Sequence, residues 1–153
     1  FRYGNVNKPG IYLDENTLRM CRTHRMMFSE LAQALYEEGK HDKAIEVLNY
    51  AEEMLPGYNV SYDYTSASMA ALYYALGKND KGDAIMTNVA DNCVEYMAWA
   101  ASLPAVQRKS LNQSTVGHYS AVLGFVLNNF QRYERKELFN KYFDLYNQYA
   151  SVR

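Results

Sequence analysis

The sequence predicts an all-α fold, and three observations support that prediction. Apolar residues recur at three- and four-residue steps along most of the 153-residue chain, which is the spacing of one helix face. Glycine and proline separate these stretches, as they do where helices end. The segment Gly-Lys-His-Asp-Lys that starts at Gly39 returns as Gly-Lys-Asn-Asp-Lys at Gly77, which indicates a duplicated pair of helices. We therefore expect about six helices in a single domain covering residues 1–153.

An arm and two helices are predicted first along the chain. Residues 1–13 hold a cluster of turn formers and should form an extended arm. Asp14 or Asn16 can cap the first helix, and Gly39 can end it in the left-handed conformation. Asp42 should cap the second helix. The apolar stripe of the first helix consists of Leu18, Cys21, His24, Phe28, Leu31 and Leu35.

The two helices of residues 16–56 match the spacing of one tetratricopeptide repeat. Ala44 falls where such helices come closest, since a larger side chain would push them apart. A repeat of this kind cannot bury its own apolar face, so it stacks on neighbours and usually presents a binding surface. The matching positions are Phe28, Leu31, Ala32, Leu35, Gly39, Ala44, Leu48, Ala51 and Pro56.

A second repeat is predicted over residues 62–103. The corresponding glycines of the two copies are 38 positions apart, about four more than the typical 34-residue repeat. The surplus falls in the loop of residues 57–60, and Gly82 takes the place of the small alanine. The last helix of this copy should run from near Asp80 towards Leu103, which makes it longer than a repeat helix.

Residues 104–153 are predicted to form a divergent helical pair that closes the stack. Ser102 should cap a helix that has Pro104 in its first turn and that ends at Asn128 and Asn129. A tyrosine-rich helix then completes the chain. The predicted architecture is a right-handed, tetratricopeptide-like helical stack whose last pair is degenerate.

Composition limits the classes of function. Hydrophobic residues make up 48% and charged residues 22% of the chain, as in ordinary globular domains. The net charge of -1 provides no positive field for nucleic acid. No apolar run approaches the roughly 18 residues of a membrane span, so we expect a water-soluble domain. The 15 tyrosines suit half-buried contacts, grooves and interfaces.

The sequence contains no recognisable catalytic or metal-binding set, and no cofactor is predicted. His24, His41 and His118 lie in none of the common hydrolase or zinc patterns. Cys21 and His24 share a helix face, but two ligands do not make a zinc site, so a packed, hydrogen-bonded pair is expected. We interpret Cys21 and Cys93 as two small buried residues, with a single disulfide as the alternative.

Three arginines, Arg19, Arg22 and Arg25, lie close together near the start of the first helix. We interpret them as ordinary surface charge in a balanced domain. The alternative is a contact with anionic lipid headgroups or with an acidic neighbour.

The candidate site is the inner face of the stack, which the first helix of each repeat should line. The repeat register places there Ser29, Gln33, Tyr36 and Glu37 from the first copy, and Tyr64, Ala67, Ala71 and Tyr74 from the second. The chaperone-binding subclass clamps a peptide carboxylate with Lys and Asn, and here the corresponding residues are Ser29, Gln33 and Ser68, so that clamp is absent. The occupant would be either a foreign peptide or the final helix of this chain. The residues expected to contact it are Gln33, Tyr36, Glu37, Tyr64 and Tyr74.

The opening Phe1-Arg-Tyr-Gly-Asn5, the run Tyr12-Leu-Asp-Glu-Asn16 and the passage of residues 56–64 resemble a bacterial family of large, uncharacterised multi-pass membrane proteins. That family is itself similar to protein O-mannosyltransferases, and the likeness to its C-terminal end covers most of this chain. The resemblance implies that the membrane part of the parent would hold any glycosyl transfer. This chain would then be a soluble, periplasmic appendage attached to the inner membrane, with no catalytic residue of the transferase.

We therefore expect a non-catalytic protein-interaction or scaffolding module that binds a protein or peptide partner. The alternative is a ligand-binding domain that takes a peptide or a glycan in the tyrosine-lined trough. An enzyme is the least favoured interpretation, since no nucleophile and base or metal set is recognisable.

Overall fold

The computed structural model describes residues 4–150, except for the side chain of Ala150, and all regular secondary structure in that range is helical. The predicted all-α class is therefore confirmed. The first three residues of the predicted arm and the last three residues of the chain lie outside the described range. The helices are α1 (Glu15–Glu37), α2 (His41–Met54), α3 (Tyr64–Ala75), α4 (Asn79–Ser102), α5 (Ala105–Lys109), α6 (Gln113–Arg132) and α7 (Lys136–Ala150).

The chain forms two compact units, the first ending at Ile85 and the second beginning at Met86. The long helix α4 contributes its first turns to the first unit and the rest to the second. In the first unit α1 packs against both α2 and α3, and α2 also contacts α3. In the second unit α6 packs against α7. The assignment of the whole chain to one domain stays a prediction.

One predicted cap, Asp14, and one further cap form as local chemistry requires. The carboxylate of Asp14 accepts hydrogen bonds from the backbone N–H groups of Asn16, at 2.9 Å, and Thr17, at 3.0 Å. This satisfies donors that have no partner inside α1. Asp63 and Ser66 form a reciprocal capping box at the start of α3. The first helix therefore begins after the predicted cap Asp14, and α3 begins within the predicted second repeat.

The turns of the first two helical pairs are alike in backbone geometry. Gly39 has a φ of +74°, and its N–H donates to the carbonyl of Tyr36 at 3.0 Å. The N–H of Lys40 donates to the carbonyl of Leu35 at 2.8 Å. Gly77, with a φ of +71°, and its neighbours repeat both bonds. Such a pair of bonds satisfies carbonyls that the end of a helix would leave without partners, so the sequence echo corresponds to a repeated turn.

Other predicted boundaries were wrong. α2 begins at His41, after Lys40, and no side chain caps it, so Asp42 lies inside its first turn. Ser102 is the last residue of α4, where its hydroxyl donates to the carbonyl of Trp99. Pro104 occupies the N-cap position of the short helix that follows.

The single helix predicted from Pro104 to Asn129 is in fact two helices, α5 and α6, so the described residues form seven helices. Its break is caused by side chains that bond to nearby atoms of the chain. The hydroxyl of Ser110 donates to the carbonyl of Gln107 at 2.6 Å, and the amide oxygen of Asn112 accepts from the N–H of Ser114 at 3.0 Å. Such bonds compete with the helical ladder.

Small residues stand where the second helix of each pair lies against the first. Ala44 is completely buried. A Cβ on Gly82 would lie 2.5 Å and 2.6 Å from two ring carbons of Tyr74, which is closer than van der Waals contact. The hydroxyl of Tyr74 donates to Asp83 at 2.8 Å. The glycine is required because the tyrosine ring fills the space that a side chain would take.

The buried face of α1 differs from the predicted apolar stripe. Leu31, a member of that stripe, is 48% exposed, because it lies about 100° around the helix from the fully buried Ala32. Arg25 is 0% exposed, so its interpretation as surface charge was wrong. Its guanidinium is retained inside because it donates hydrogen bonds to three backbone carbonyls and to the hydroxyl of Ser66.

The four surplus residues between the repeats form the contact site of the N-terminal arm. The side-chain amide of Asn59 donates to the carbonyls of Val6, at 2.6 Å, and Lys8, at 2.7 Å. The hydroxyl of Tyr58 donates to the carbonyl of Asn7. Val6 is 8% exposed and belongs to a small core with Val60. The described part of the arm, residues 4–13, is therefore packed onto this loop.

In the second unit a tyrosine joins α7 to α4 and α6. Tyr142 is completely buried, and its ring stacks on that of Phe130 with 5.8 Å between centroids. Its hydroxyl donates to the carboxylate of Asp91 at 2.6 Å. Cys93, two positions after Asp91 in sequence, is 2% exposed. The tyrosine excess thus supplies core residues with a satisfied polar tip as well as surface residues.

Candidate binding groove between α1 and α3

A groove of about 490 Å³ runs between α1 and α3 in the first unit. Successive helical turns contribute its walls, since residues three or four positions apart lie on the same helix face. Its volume lies within the range of small-molecule and peptide-anchor pockets. The lining residues are Met26, Ser29, Glu30, Gln33, Ala34 and Glu37 from α1, and Tyr64, Thr65, Ser68 and Leu72 from α3.

The apolar part of the groove combines a buried residue with exposed ones. Leu72 is 6% exposed and therefore closes the groove on the α3 side. Met26 is 44% exposed and Tyr64 is 48% exposed, so both offer apolar surface to a ligand. Methionine adapts its shape to different partners, and tyrosine adds a polar tip to a flat ring.

The polar part of the groove is acidic along α1. Glu30 and Glu37 are exposed and lie two helical turns apart on the same face. The side-chain amide nitrogen of Gln33 donates to Glu37 at 2.6 Å. The amide oxygen of Gln33 is therefore left to accept a hydrogen bond from a ligand. None of the described lining residues is a lysine, an arginine or a histidine. The groove therefore favours cationic and hydrogen-bond-donating ligands.

Three of the five residues predicted for the site line this groove. Gln33 and Glu37 contribute to the α1 wall and Tyr64 to the α3 wall. Ser29 and Ser68, which the repeat register also places on the inner face, line it as well. The prediction that these residues contact a ligand stays a prediction.

The other two predicted residues have intramolecular roles and are not among the lining residues. The ring of Tyr36 stacks on His41 with 5.1 Å between centroids, which joins α1 to the start of α2. Tyr74 is 3% exposed and packs against Gly82, so its ring is not accessible to a ligand. Tyr36 and Tyr74 occupy equivalent positions before the two glycine turns, and both face the following helix of their own pair.

Five lining residues were not predicted from the sequence: Met26, Glu30, Ala34, Thr65 and Leu72. Helical periodicity could have identified three of them. Met26 and Glu30 precede Gln33 by about two turns and one turn, and Leu72 follows Ser68 by one turn. The repeat register instead predicted Tyr36 and Tyr74, which lie at the turn end of their helices.

The described residues contain no group of three or more His, Cys, Asp and Glu side chains that could hold a metal ion. Cys21 and Cys93 are both buried and neither is in a disulfide, which agrees with their interpretation as small core residues. Burial raises the pKa of the Cys93 thiol to about 12. A thiol in this state is a poor nucleophile at neutral pH.

Comparisons with protein-family models, curated proteins and solved structures found no match. Within residues 4–150, no helix combines the length and the apolar character that crossing a membrane requires.

Proposed function

We propose that the first unit is a protein-interaction module that binds a peptide segment of a partner protein in the groove between α1 and α3. The observation that carries the proposal is the composition of this groove. It joins a buried leucine, an exposed methionine and an exposed tyrosine to a polar wall, which is the mixture that peptide-binding grooves use for affinity and for orientation.

The proposal includes a tetratricopeptide-like arrangement of the helices. It is supported by the repeated glycine turns, by the small residues Ala44 and Gly82 at the pair contacts, and by the packing of α3 against α1. In such an arrangement the first helices of successive pairs line the surface used for binding. The groove lies between these two helices.

We also propose that the chain acts as a scaffolding appendage of a bacterial membrane protein that resembles the O-mannosyltransferase-like family, on the periplasmic side of the inner membrane. The resemblance supports this assignment, and two of the segments that carry it form ordered structure. Asp14 caps α1, and the loop after Pro56 holds the arm. Sequencing the parent reading frame tests the proposal, since a frame without upstream membrane spans would contradict it.

The peptide proposal is tested by selecting binders from a random 12-residue peptide library on the immobilised chain. Enriched peptides are then measured on Ala34→Trp, which fills the groove from an exposed position of α1. Ala121→Trp is the matched control, since Ala121 is exposed on α6. We expect at least about tenfold weaker binding to Ala34→Trp and unchanged binding to the control.

Failure to enrich any peptide, or equal binding of the selected peptides to both variants, would contradict the proposal. The glycan alternative is tested in parallel, because an exposed tyrosine ring beside carboxylates also suits a sugar. Titration with mono- and disaccharides is followed by tyrosine fluorescence. Saturable sugar binding that Ala34→Trp abolishes would favour a glycan as the ligand instead of a peptide.

A further inference from the structure

We infer that the groove selects a basic peptide in the polyproline II conformation, with two cationic side chains three residues apart and an apolar side chain between them. This inference rests on the proposed peptide-binding function and specifies the chemistry of the partner. It follows from the charge and spacing of the α1 wall, from the apolar surface opposite and from the hydroxyl of Ser29 in the groove.

The charge of the wall determines the sign of the partner. Glu30 and Glu37 both line the groove and are exposed. Glu30 forms no ion pair within the described part of the chain. Lys40, the cation nearest to Glu37 in sequence, is paired with Glu38. A cationic ligand therefore meets two carboxylates without displacing an internal cation.

The spacing of the carboxylates determines the spacing of the cations. Glu30 and Glu37 are seven positions apart on the helix, which corresponds to about 10.5 Å along α1. A polyproline II segment has three residues per turn and rises about 3.1 Å per residue, so its side chains at i and i+3 share one face and lie about 9 Å apart. A peptide that lies along α1 in this conformation can thus place lysine or arginine side chains at positions i and i+3 opposite the two carboxylates.

The region between the carboxylates suits the middle of such a peptide. Tyr64 and Leu72 on α3 provide an apolar surface for a side chain that points away from α1. Gln33 lies between the two carboxylates and is held by Glu37, so its amide oxygen can accept a hydrogen bond from the peptide backbone.

Ser29 gives independent support for a polar ligand. It is 7% exposed and lines the groove. Its hydroxyl makes no hydrogen bond within residues 4–150, and its oxygen is not one of the fully buried, unpaired side-chain atoms, so it is accessible from the groove. A peptide carbonyl or N–H that reaches Ser29 can bond to it. This site would fix the depth of the bound segment.

The inference is tested on the peptides that the library selection enriches and that Ala34→Trp rejects. We expect these groove binders to carry paired Lys or Arg residues at i and i+3. Glu30→Gln and Glu37→Gln should each weaken their binding about three- to tenfold, as expected for charge pairs at the edge of a groove. Glu46→Gln, an exposed residue of α2 outside the groove, is the matched control and should have no effect.

Two further measurements separate the outcomes. Peptides with glutamine in place of both cations should bind the wild type and the two groove variants with equal affinity. Raised salt should weaken the binding of the cationic peptide only. Groove binders that lack paired cations, or that bind the glutamine variants unchanged, would overturn this inference and leave the peptide proposal intact. A selection without groove binders would instead overturn the proposed function, and the inference with it.

Discussion

Arg25 illustrates how one residue can determine the conformation of a whole loop. One nitrogen of its guanidinium donates to the carbonyls of Leu55, at 2.6 Å, and Val60, at 2.8 Å. The other donates to the carbonyl of Ser61 at 3.0 Å and to the hydroxyl of Ser66 at 3.3 Å. The planar, multidentate guanidinium can bind these acceptors together, whereas the ammonium of lysine cannot match this geometry.

Nearby carboxylates offset part of the cost of burying the Arg25 charge. Burial lowers the pKa of its guanidinium, whereas the carboxylates of Asp63 and Glu52 act in the opposite direction. Burial also raises the pKa of Glu52, although a hydrogen bond from Tyr62 and the charge of Arg25 oppose that shift. The ring of Tyr62 lies 5.2 Å from the guanidinium carbon. Arg25 is therefore part of a buried polar network and has little contact with solvent.

Replacement of Arg25 should destabilise the first unit strongly. Arg25→Met removes the donor from the carbonyls of the buried Leu55 and Val60 and from that of Ser61, so we expect the free energy of unfolding to fall by about 3–5 kcal/mol. Urea unfolding followed by circular dichroism measures this. Arg22→Met is the control, with an expected change below about 0.5 kcal/mol, since Arg22 makes only a 3.8 Å ion contact with Glu15.

A second variant covers the case in which Arg25→Met does not fold. Arg25→Lys keeps the charge but provides fewer, differently directed donors, so it should lose about 1–3 kcal/mol. Unfolding free energies of Arg25→Lys and Arg22→Met that agree within error would contradict the role assigned to the guanidinium.

At the scale of helices and turns, the third hairpin repeats the turn of the first two without a glycine. Glu134 has a φ of +58°. Its N–H donates to the carbonyl of Gln131 at 3.2 Å, and the N–H of Arg135 donates to that of Phe130 at 2.8 Å. A side chain with a Cβ is disfavoured in this left-handed conformation. The α6–α7 turn therefore stores strain that the two glycine turns avoid.

Exchange of residues at these turns should change stability in opposite directions. Glu134→Gly relieves the strain and should stabilise the chain by about 1 kcal/mol, whereas Gly77→Ala introduces it and should destabilise by about the same amount. Space plays no part, because a Cβ on Gly77 would meet no atom within 4 Å. Thermal and urea unfolding measure both changes.

The control for these turn variants is Gly117→Ala in α6. A Cβ there also meets no atom within 4 Å, but its backbone has no positive φ. The substitution should therefore stabilise the helix, by up to about 1 kcal/mol. A Glu134→Gly chain that is less stable than the wild type would show that the strain at this turn is unimportant.

The sequence predicted those elements whose signals are local. Asp14 and Gly39 mark helix ends through bonds to residues within three or four positions, and the same chemistry marks Gly77. The break before α6 was not predicted, because the apolar period continues on both sides of Ser110 and Asn112 and hides their local hydrogen bonds. The burial of Arg25 could not be predicted, since its partners lie 30 to 41 positions away in sequence.

The candidate site was predicted in part for a similar reason. The repeat register identifies which helices line the inner face, and this brought Gln33, Glu37 and Tyr64 into the prediction. It does not show which of these side chains pack within their own helical pair instead of lining the groove. Tyr36 and Tyr74 lie at the turn end of α1 and α3, where their rings pack against the following helix. Only the packing of that helix reveals this.

At the scale of the whole molecule, both units bury groups that lose a proton at alkaline pH. Tyr73 in the first unit and Tyr142 in the second are 0% exposed, and Cys93 is 2% exposed. Burial raises the pKa of both tyrosines above the ordinary value of 10.0 and raises that of Cys93 from 9.0 to about 12. The hydrogen bond to Asp91 adds to the shift of Tyr142.

These raised pKa values should make the folded chain sensitive to alkali. Each group stays protonated when folded but ionises when unfolded, so its contribution is complete below its unfolded pKa and falls as the pH rises towards its folded pKa. At about 1.4 kcal/mol per group and pH unit, the three groups remove about 5 kcal/mol by pH 11. Since domains are stable by only about 5–15 kcal/mol, urea unfolding measured from pH 8 to 11 should show steeply falling stability.

The variant Cys93→Ala should reduce the slope of stability against pH. The control Tyr12→Phe should leave that slope unchanged, because Tyr12 is 91% exposed. Constant stability up to pH 11 would contradict the burial of these groups.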